Sequence, residues 1–437
     1  MKKKVALFAK GNPELKLMLP IIQELILNNQ IKPILITSKT MNTGPKKKQN
    51  YKICYNPFHS QISVCYVDSE NEINKILIQE RIRTIILSWY LPNVFNELKK
   101  KDICVLYLQH SFDIILWPYL YGKDTFHLFD GFLLFSTYWK EELLKTLQNV
   151  YFINSQELKK IEEKLFIVGF PELDQIASYD KEKIRKKYGF GQKKIIFFDP
   201  VDFFNRTPNF LFRYYFSVNG TWKSKSKKVF LNLCQDIKYN FTRLHTFPSH
   251  FFRLINNGKN IYRYDDLFFH LRRYCKENNY LLICKSREKN NDPDWVKKEC
   301  DYYSFDQGYF PFTLLEMLFV SDFYVGFNST SVLEAVYCDV PVKIFQVFPT
   351  EFRYGRGYEE AFLRYIENCM ENTDEWLYYP NVVDVTFWDQ DIVNVFKTLK
   401  DISFDRIRRQ QYKRKFLGHT DAQSSRRVCE VISYKLK

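Results

Sequence analysis

The stretch LFVSDFYVGFNSTSVLEAVYCDVPVKIF, residues 318–345, decides how the chain is read. Its apolar run Phe323, Tyr324, Val325 ends at Gly326, and a turn of small polar side chains follows: Asn328, Ser329, Thr330 and Ser331. Residues 332–337 then begin a helix carrying Glu334 before a second apolar run. Strand, turn, helix, strand is the repeating unit of a parallel α/β sheet, in which each crossover helix starts at the carboxyl end of a strand. A helix start leaves backbone N–H groups without intrahelical partners at the positive end of the dipole, which suits an anion. Ser329, Thr330 and Ser331 are therefore candidates for holding phosphate, and Glu334, one turn on, for accepting from ribose hydroxyls. The same residues also suit a plain helix cap.

The same alternation extends upstream. VALFA (5–9), the loop KGNPE, an apolar-periodic helix over 15–27 and KPILIT (32–37) form a β-α-β opening. It continues through SVCYV (63–67), a helix over 70–81, TIILSWY (84–90), a helix over 93–99, ICVLYLQH (103–110), GFLLFS (131–136), a helix over 137–147 and LFIVGFP (165–171). A charged helix (181–188) leads to KKIIFFDP (193–200), the first strand of a second α/β domain. The boundary is placed near 190, giving domains 1–190 and 191–437. The second domain continues with a helix over 265–277, LLICKSR (281–287), the opening stretch, and helices within 357–370 and 390–400. An aromatic and basic insertion without clear period spans about 203–264. The chain closes with a basic segment, a loop and a helix near 424–435, for which Asp421 or Ser424 would be the cap.

With 437 residues the chain is too long for one ordinary core. A net charge of +15 favours anionic partners: nucleotides, acidic glycans, nucleic acid or an anionic lipid surface. No RNP-like, helix-turn-helix or zinc-finger pattern accompanies the charge, so nucleic acid is not the expected partner, although a basic nucleic-acid-binding protein stays as one alternative. The ten cysteines show no CxxC pair and fall largely in apolar runs, as in a reduced cytoplasmic protein. No run reaches membrane-span length. The basic stretches 46–48 and 406–415 read as solvated faces that would also permit peripheral docking on anionic lipid at the inner membrane face. Asp265 and Asp266 open a helix and Asp292 and Asp294 lie in a loop, so no metal or other cofactor is expected.

Four places carry a resemblance to a known family: LYLQHSFD with His110 at a strand end, VGFPELD (168–174), the block 312–342, and GHTDAQSSRRVCEVI (418–432). Together they resemble GT-B glycosyltransferases, in particular CDP-glycerol glycerophosphotransferases and related surface (capsular) polysaccharide transferases. The resemblance implies two Rossmann-like domains facing a central cleft, an acceptor-binding first and a donor-binding second, with a C-terminal helix packing back. It implies a transferase moving a sugar or glycerol-phosphate unit from a nucleotide-sugar or CDP-polyol donor to a glycan or lipid-linked acceptor. His110 suits a general base oriented by Asp113, three residues on. Lys285 and Arg287 would neutralise phosphate, and Ser424, Ser425 and Arg426, with His419 and Asp421, would contact the donor diphosphate. Gly11 would let an acceptor or phosphate approach the backbone. Where related transferases carry Lys-x-His-Pro, this chain reads LLICKSREKNNDPDW, keeping Lys285 and lacking the His-Pro. A UDP-sugar 2-epimerase shares the architecture and remains the alternative enzyme.

Overall fold

Apolar runs without polar alternation need cover on both faces, and the chain supplies it by alternating them with helices. The computed structural model describes residues 2–9, 12–38, 61–69, 71–88, 102–115, 125–200, 264–286, 294–304, 312–327, 329–346, 375–387, 402 and 404–436, with Leu91, Leu98, Phe396 and Leu399. The insertion at 203–264, save its last residue, the helices expected at 93–99, 357–370 and 390–400, save Leu98, Phe396 and Leu399, the basic stretch 46–48, and Gly11, Arg287 and Asn328 lie outside the described residues.

Seven parallel strands make the first sheet: β1 (Lys3–Ala9), β2 (Ile31–Ser38), β3 (Ser63–Val67), β4 (Thr84–Leu87), β5 (Cys104–Leu108), β6 (Gly131–Leu134) and β7 (Leu165–Ile167), in the order β3-β2-β1-β4-β5-β6-β7. Six more make the second: β8 (Ile195–Phe198), β9 (Leu281–Lys285), β10 (Tyr302–Ser304), β11 (Phe323–Gly326), β12 (Val342–Gln346) and β13 (Val383–Phe387), in the order β10-β9-β8-β11-β12-β13. β10 and β13 complete the sheet's edges and were not anticipated from the sequence. Each sheet reverses direction once, between β1 and β4 and between β8 and β11. Connections leave such a pair toward opposite faces, opening a crevice at the carboxyl ends where ligands bind in doubly wound folds.

The helices are α1 (Asn12–Asn28), α2 (Asn71–Gln79), α3 (Thr125–Leu128), α4 (Thr137–Tyr151), α5 (Ser155–Glu162), α6 (Lys181–Tyr188), α7 (Tyr264–Glu277), α8 (Asp294–Glu299), α9 (Thr313–Val320), α10 (Ser331–Tyr337), α11 (Arg406–Tyr412) and α12 (Ser424–Lys435). In α1 Pro13 and Glu14 occupy the first turn, where a missing N–H costs nothing and a negative charge is favoured. The chain crosses between sheets through a 3₁₀ segment, Pro171–Ser178, and α6. Gln175 of that segment accepts from Phe312 N–H at 3.1 Å, and Arg185 of α6 donates to Val320 O at 3.1 Å, so the crossover is fastened to α9 on the second domain.

The last thirty or so residues return to the first domain. Ser136 Oγ donates to Lys415 O at 2.5 Å, Trp139 Nε1 to Phe416 O at 2.7 Å, and Cys429 packs on the Ile21 carbonyl. The basic segment expected as a solvated face is a correction here. Arg409, Tyr412, Lys413, Phe416 and Leu417 are buried, with Lys413 paired to Asp339 at 2.8 Å and Arg409 lying over the Phe404 ring. The apolar positions among the basic ones turn the segment inward as α11 and a π turn, Lys413–Leu417, and leave Arg406 and Ile407 outside. Burial pushes the Arg409 guanidinium down to about 10.

Gly418 ends that turn at φ +76, and a Cβ there would sit 2.2 Å from the Phe135 carbonyl oxygen. Gly189, at φ +71, has nothing within 4 Å. Asparagine tolerates positive φ, so Gly189→Asn isolates mild strain while Gly418→Asn adds a backbone clash. We expect Gly418→Asn to cost about 2 kcal/mol or more and Gly189→Asn well under about 1 kcal/mol, measured by chemical denaturation.

Candidate functional site

Lys16 is the one charged side chain in the apolar run LKLMLPII of α1, five residues into the helix. Its Nζ lies 2.8 Å from Glu172 Oε2 of the crossover and donates to Glu334 Oε1 of α10 at 3.1 Å. Glu172 is 0% exposed and Glu334 1%. The Phe170 and Phe312 rings stand 6.0 and 5.5 Å from the ammonium. Lys16 is one turn into the helix that leaves β1, and Glu334 one turn into the helix that leaves β11. Their contact therefore sets the carboxyl ends of the two central strands, each flanking a switch point, against each other.

Two carboxylates cannot both be ionised beside one ammonium in a dry seam without cost. Burial pushes Glu172 up to about 8, the Glu334 charge adds to this, and Lys16 opposes it. For Lys16 burial acts downward, but the two carboxylates outweigh it and hold its pKa above the usual lysine value. Sequence reading placed Glu334 near ribose and did not identify Lys16 or Glu172. The available signal was a charge inside an apolar helical run and a second one in VGFPELD.

At the second switch point the turn after β11 forms a closed hydroxyl network. Tyr324 Oη donates to Asp199 Oδ2 at 3.0 Å and lies 2.8 Å from Ser331 Oγ, which also bonds Asp199. Ser331 Oγ and Ser331 N–H both reach Ser329 Oγ, at 2.8 and 3.3 Å. Ser331, expected on phosphate, is thus a buried residue whose hydroxyl is taken by the carboxylate ending β8. Thr330 is half-buried at the turn's outer side. Lys285 ends β9, the neighbour of β8, and donates to Ser286 O at 3.2 Å.

At the first sheet, Gln109 fixes the strand end before His110. It accepts from Phe135 N–H at 2.8 Å and donates to Ser111 O at 2.8 Å. His110 is half-buried two residues beyond β5, and Asp113 falls in the 3₁₀ turn Phe112–Ile115. Ser88, just past β4, was not singled out by sequence; it is buried, and its Oγ has no hydrogen-bond partner among the described residues.

The C-terminal motif has a different place from the expected one. Ser424 and Ser425 are buried, and their N–H groups go to Asp174 Oδ1 and Oδ2 at 3.0 and 2.6 Å. The start of α12 therefore already holds an internal anion, supplied by the crossover and not by Asp421, which pairs with Arg427. Gly169, at φ +89, is required because a Cβ would meet Ser424 Oγ at 2.4 Å. The motifs VGFPELD and GHTDAQSSRR are thus two halves of one docking contact. Arg426 is exposed beside Glu430 at 3.4 Å, and burial lowers the His419 pKa.

No family model matches the chain, and no curated protein matches it by sequence. Solved structures match it along its length. A Staphylococcus aureus MnaA structure with UDP superposes at TM-score 0.52, 12% identical, covering 99% of this chain and 97% of its own. A putative UDP-N-acetylglucosamine 2-epimerase from Listeria monocytogenes gives 0.54 at 10% identity, covering 100% and 97%. The wall teichoic acid polymerase TagF gives 0.53 at 11%, covering 99% and 89%. At these identities the likeness is one of fold: two Rossmann-like domains of the GT-B type. Among the described residues no helix is long and apolar enough to cross a membrane.

Because the Glu172 carboxyl titrates near 4.5 when unburied and at about 8 in the fold, folding takes up a proton between those values and stability falls as pH rises through that window. Glu172→Gln is expected to flatten the decline in Tm between about pH 5 and about pH 8. An unchanged slope would place the proton elsewhere.

Proposed function

We propose that the chain is an enzyme acting on a nucleotide-activated donor, transferring a sugar or glycerol-phosphate unit to a surface-glycan or lipid-linked acceptor. The observation that carries this reading is the Lys16 to Glu334 contact, which sets the two switch points against each other across a seam. Fold neighbours solved with UDP, UDP-GlcNAc and CDPG support a nucleotide in such a seam.

In this reading the donor's phosphates lie at the turn after β11, held by Thr330 and neighbouring backbone N–H groups with the Lys285 ammonium nearby, while the ribose lies toward Glu334. Arg287 and Gly11 are assigned to phosphate and acceptor from the resemblance alone. His110, from the first sheet, takes the proton of the acceptor hydroxyl as its oxygen bonds to the transferred carbon or phosphorus. The bond to the nucleotide phosphate breaks, and the nucleotide departs with the electron pair. The 2-epimerase reading is favoured by one observation: the epimerase chains are covered to 97% or more, against 89% for TagF.

Incubation with UDP-, CDP- and GDP-linked sugars and polyols separates the two. Release of free nucleotide that depends on added acceptor supports the transferase; isomerisation of a UDP-sugar without acceptor overturns it in favour of the epimerase. His110→Ala is expected to lower turnover by about 100-fold or more while donor affinity changes little, measured by titration calorimetry beside kinetics.

A further inference from the structure

The N–H donors of one buried side chain go unused. Arg409 of α11 is 0% exposed, and neither its Nε nor either Nη has a hydrogen-bond partner among the described residues. Asp339, whose charge reaches the guanidinium, is already paired with Lys413 at 2.8 Å. Asp405 is taken by the start of α11, where it accepts from Arg408 N–H at 3.0 Å. An apolar side chain of similar volume would fill this position at lower cost than an unpaired buried guanidinium. What does cover Arg409 is the Phe404 ring, whose centroid is 4.4 Å from Cζ. That ring is itself 42% exposed, so the unused donors lie beneath a roof that stands partly in solvent.

We propose that Arg409 anchors a phosphate-binding site roofed by Phe404 and entered when that ring turns outward. The site is independent of the donor reading. Asp339 follows α10 at the end remote from the turn after β11, so the two places are separated by that helix, about 10 Å long. A guanidinium offers parallel N–H pairs that match two oxygens of one phosphate. Arg406 and Arg414 are exposed nearby and Arg408 is half-buried, while Asp405 is the one acidic residue between 404 and 415. This excess of positive charge favours a phosphate, which carries close to two negative charges, over a carboxylate with one. Two sources share the chemistry: a soluble phosphate ester and a phospholipid headgroup. Ile407, 73% exposed beside Arg406, offers the second an apolar contact that the first does not use.

The test is calorimetry on the full chain with inorganic phosphate, against chloride at equal ionic strength. Sedimentation with phosphatidylcholine vesicles, with and without phosphatidylglycerol, runs beside it. Wild type is expected to bind phosphate in one or both forms. Arg409→Met should weaken that binding about tenfold or more and, having lost an unpaired buried charge, melt no lower than wild type. Phe404→Ala removes the roof and its cation–π contact and should bind several-fold tighter. Heat from inorganic phosphate identifies a soluble ester as the source. Capture by phosphatidylglycerol vesicles alone, weakened by Ile407→Ser, identifies the headgroup. The proposal is overturned if wild type binds neither probe. It is equally overturned if Arg409→Met and Phe404→Ala both bind as wild type does, which places the phosphate elsewhere. Should Arg409→Met fail to fold, Phe404→Ala decides alone.

Discussion

One ammonium between two buried carboxylates holds this molecule's two halves in register. Removing one partner of such a cluster typically costs about 3–5 kcal/mol, because the remaining charge stays buried without compensation. Lys16 reaches from the first domain, Glu172 from the crossover and Glu334 from the second domain. These three side chains tie the two sheets, and with them the opposed switch points, together inside an apolar core that is itself continuous across both.

A second fastening works in parallel. Asp174, two residues beyond Glu172, holds the first N–H groups of α12, and Gly169 clears room for Ser424. The C-terminal return thus closes on the same eight-residue 3₁₀ crossover that supplies the seam carboxylate. Anything that shifts this segment moves both the helix cap and the Glu172 carboxyl together.

The strands were legible because parallel strands covered on both faces are written as unbroken apolar runs: VALFA, CVLYL, IIFF and FYVG all fall in the sheets. The two edge strands β10 and β13 were harder to see, since Tyr302–Ser304 is only three residues and VDVTF alternates like a surface strand. The turn at 326–331 was legible as a helix start, but not the destination of Ser331, because Asp199 lies 132 positions away. The same distance problem hid the partnership of Asp174 with Ser424 and Ser425. Lys16 was passed over because a single lysine in an apolar helix differs from a solvated one only through contacts that no local pattern encodes. The basic face at 406–415 misled for the opposite reason: its charges are conspicuous, while the tyrosine and phenylalanine that turn it inward are few.

Nucleotide entry at this seam is tested most directly by a crystal structure with UDP or CDP bound. Nucleotide density is expected between the turn after β11 and the seam, with the phosphates on the turn and the ribose toward Glu334. Nucleotide bound at another surface, or with its phosphates away from the turn after β11, would contradict it.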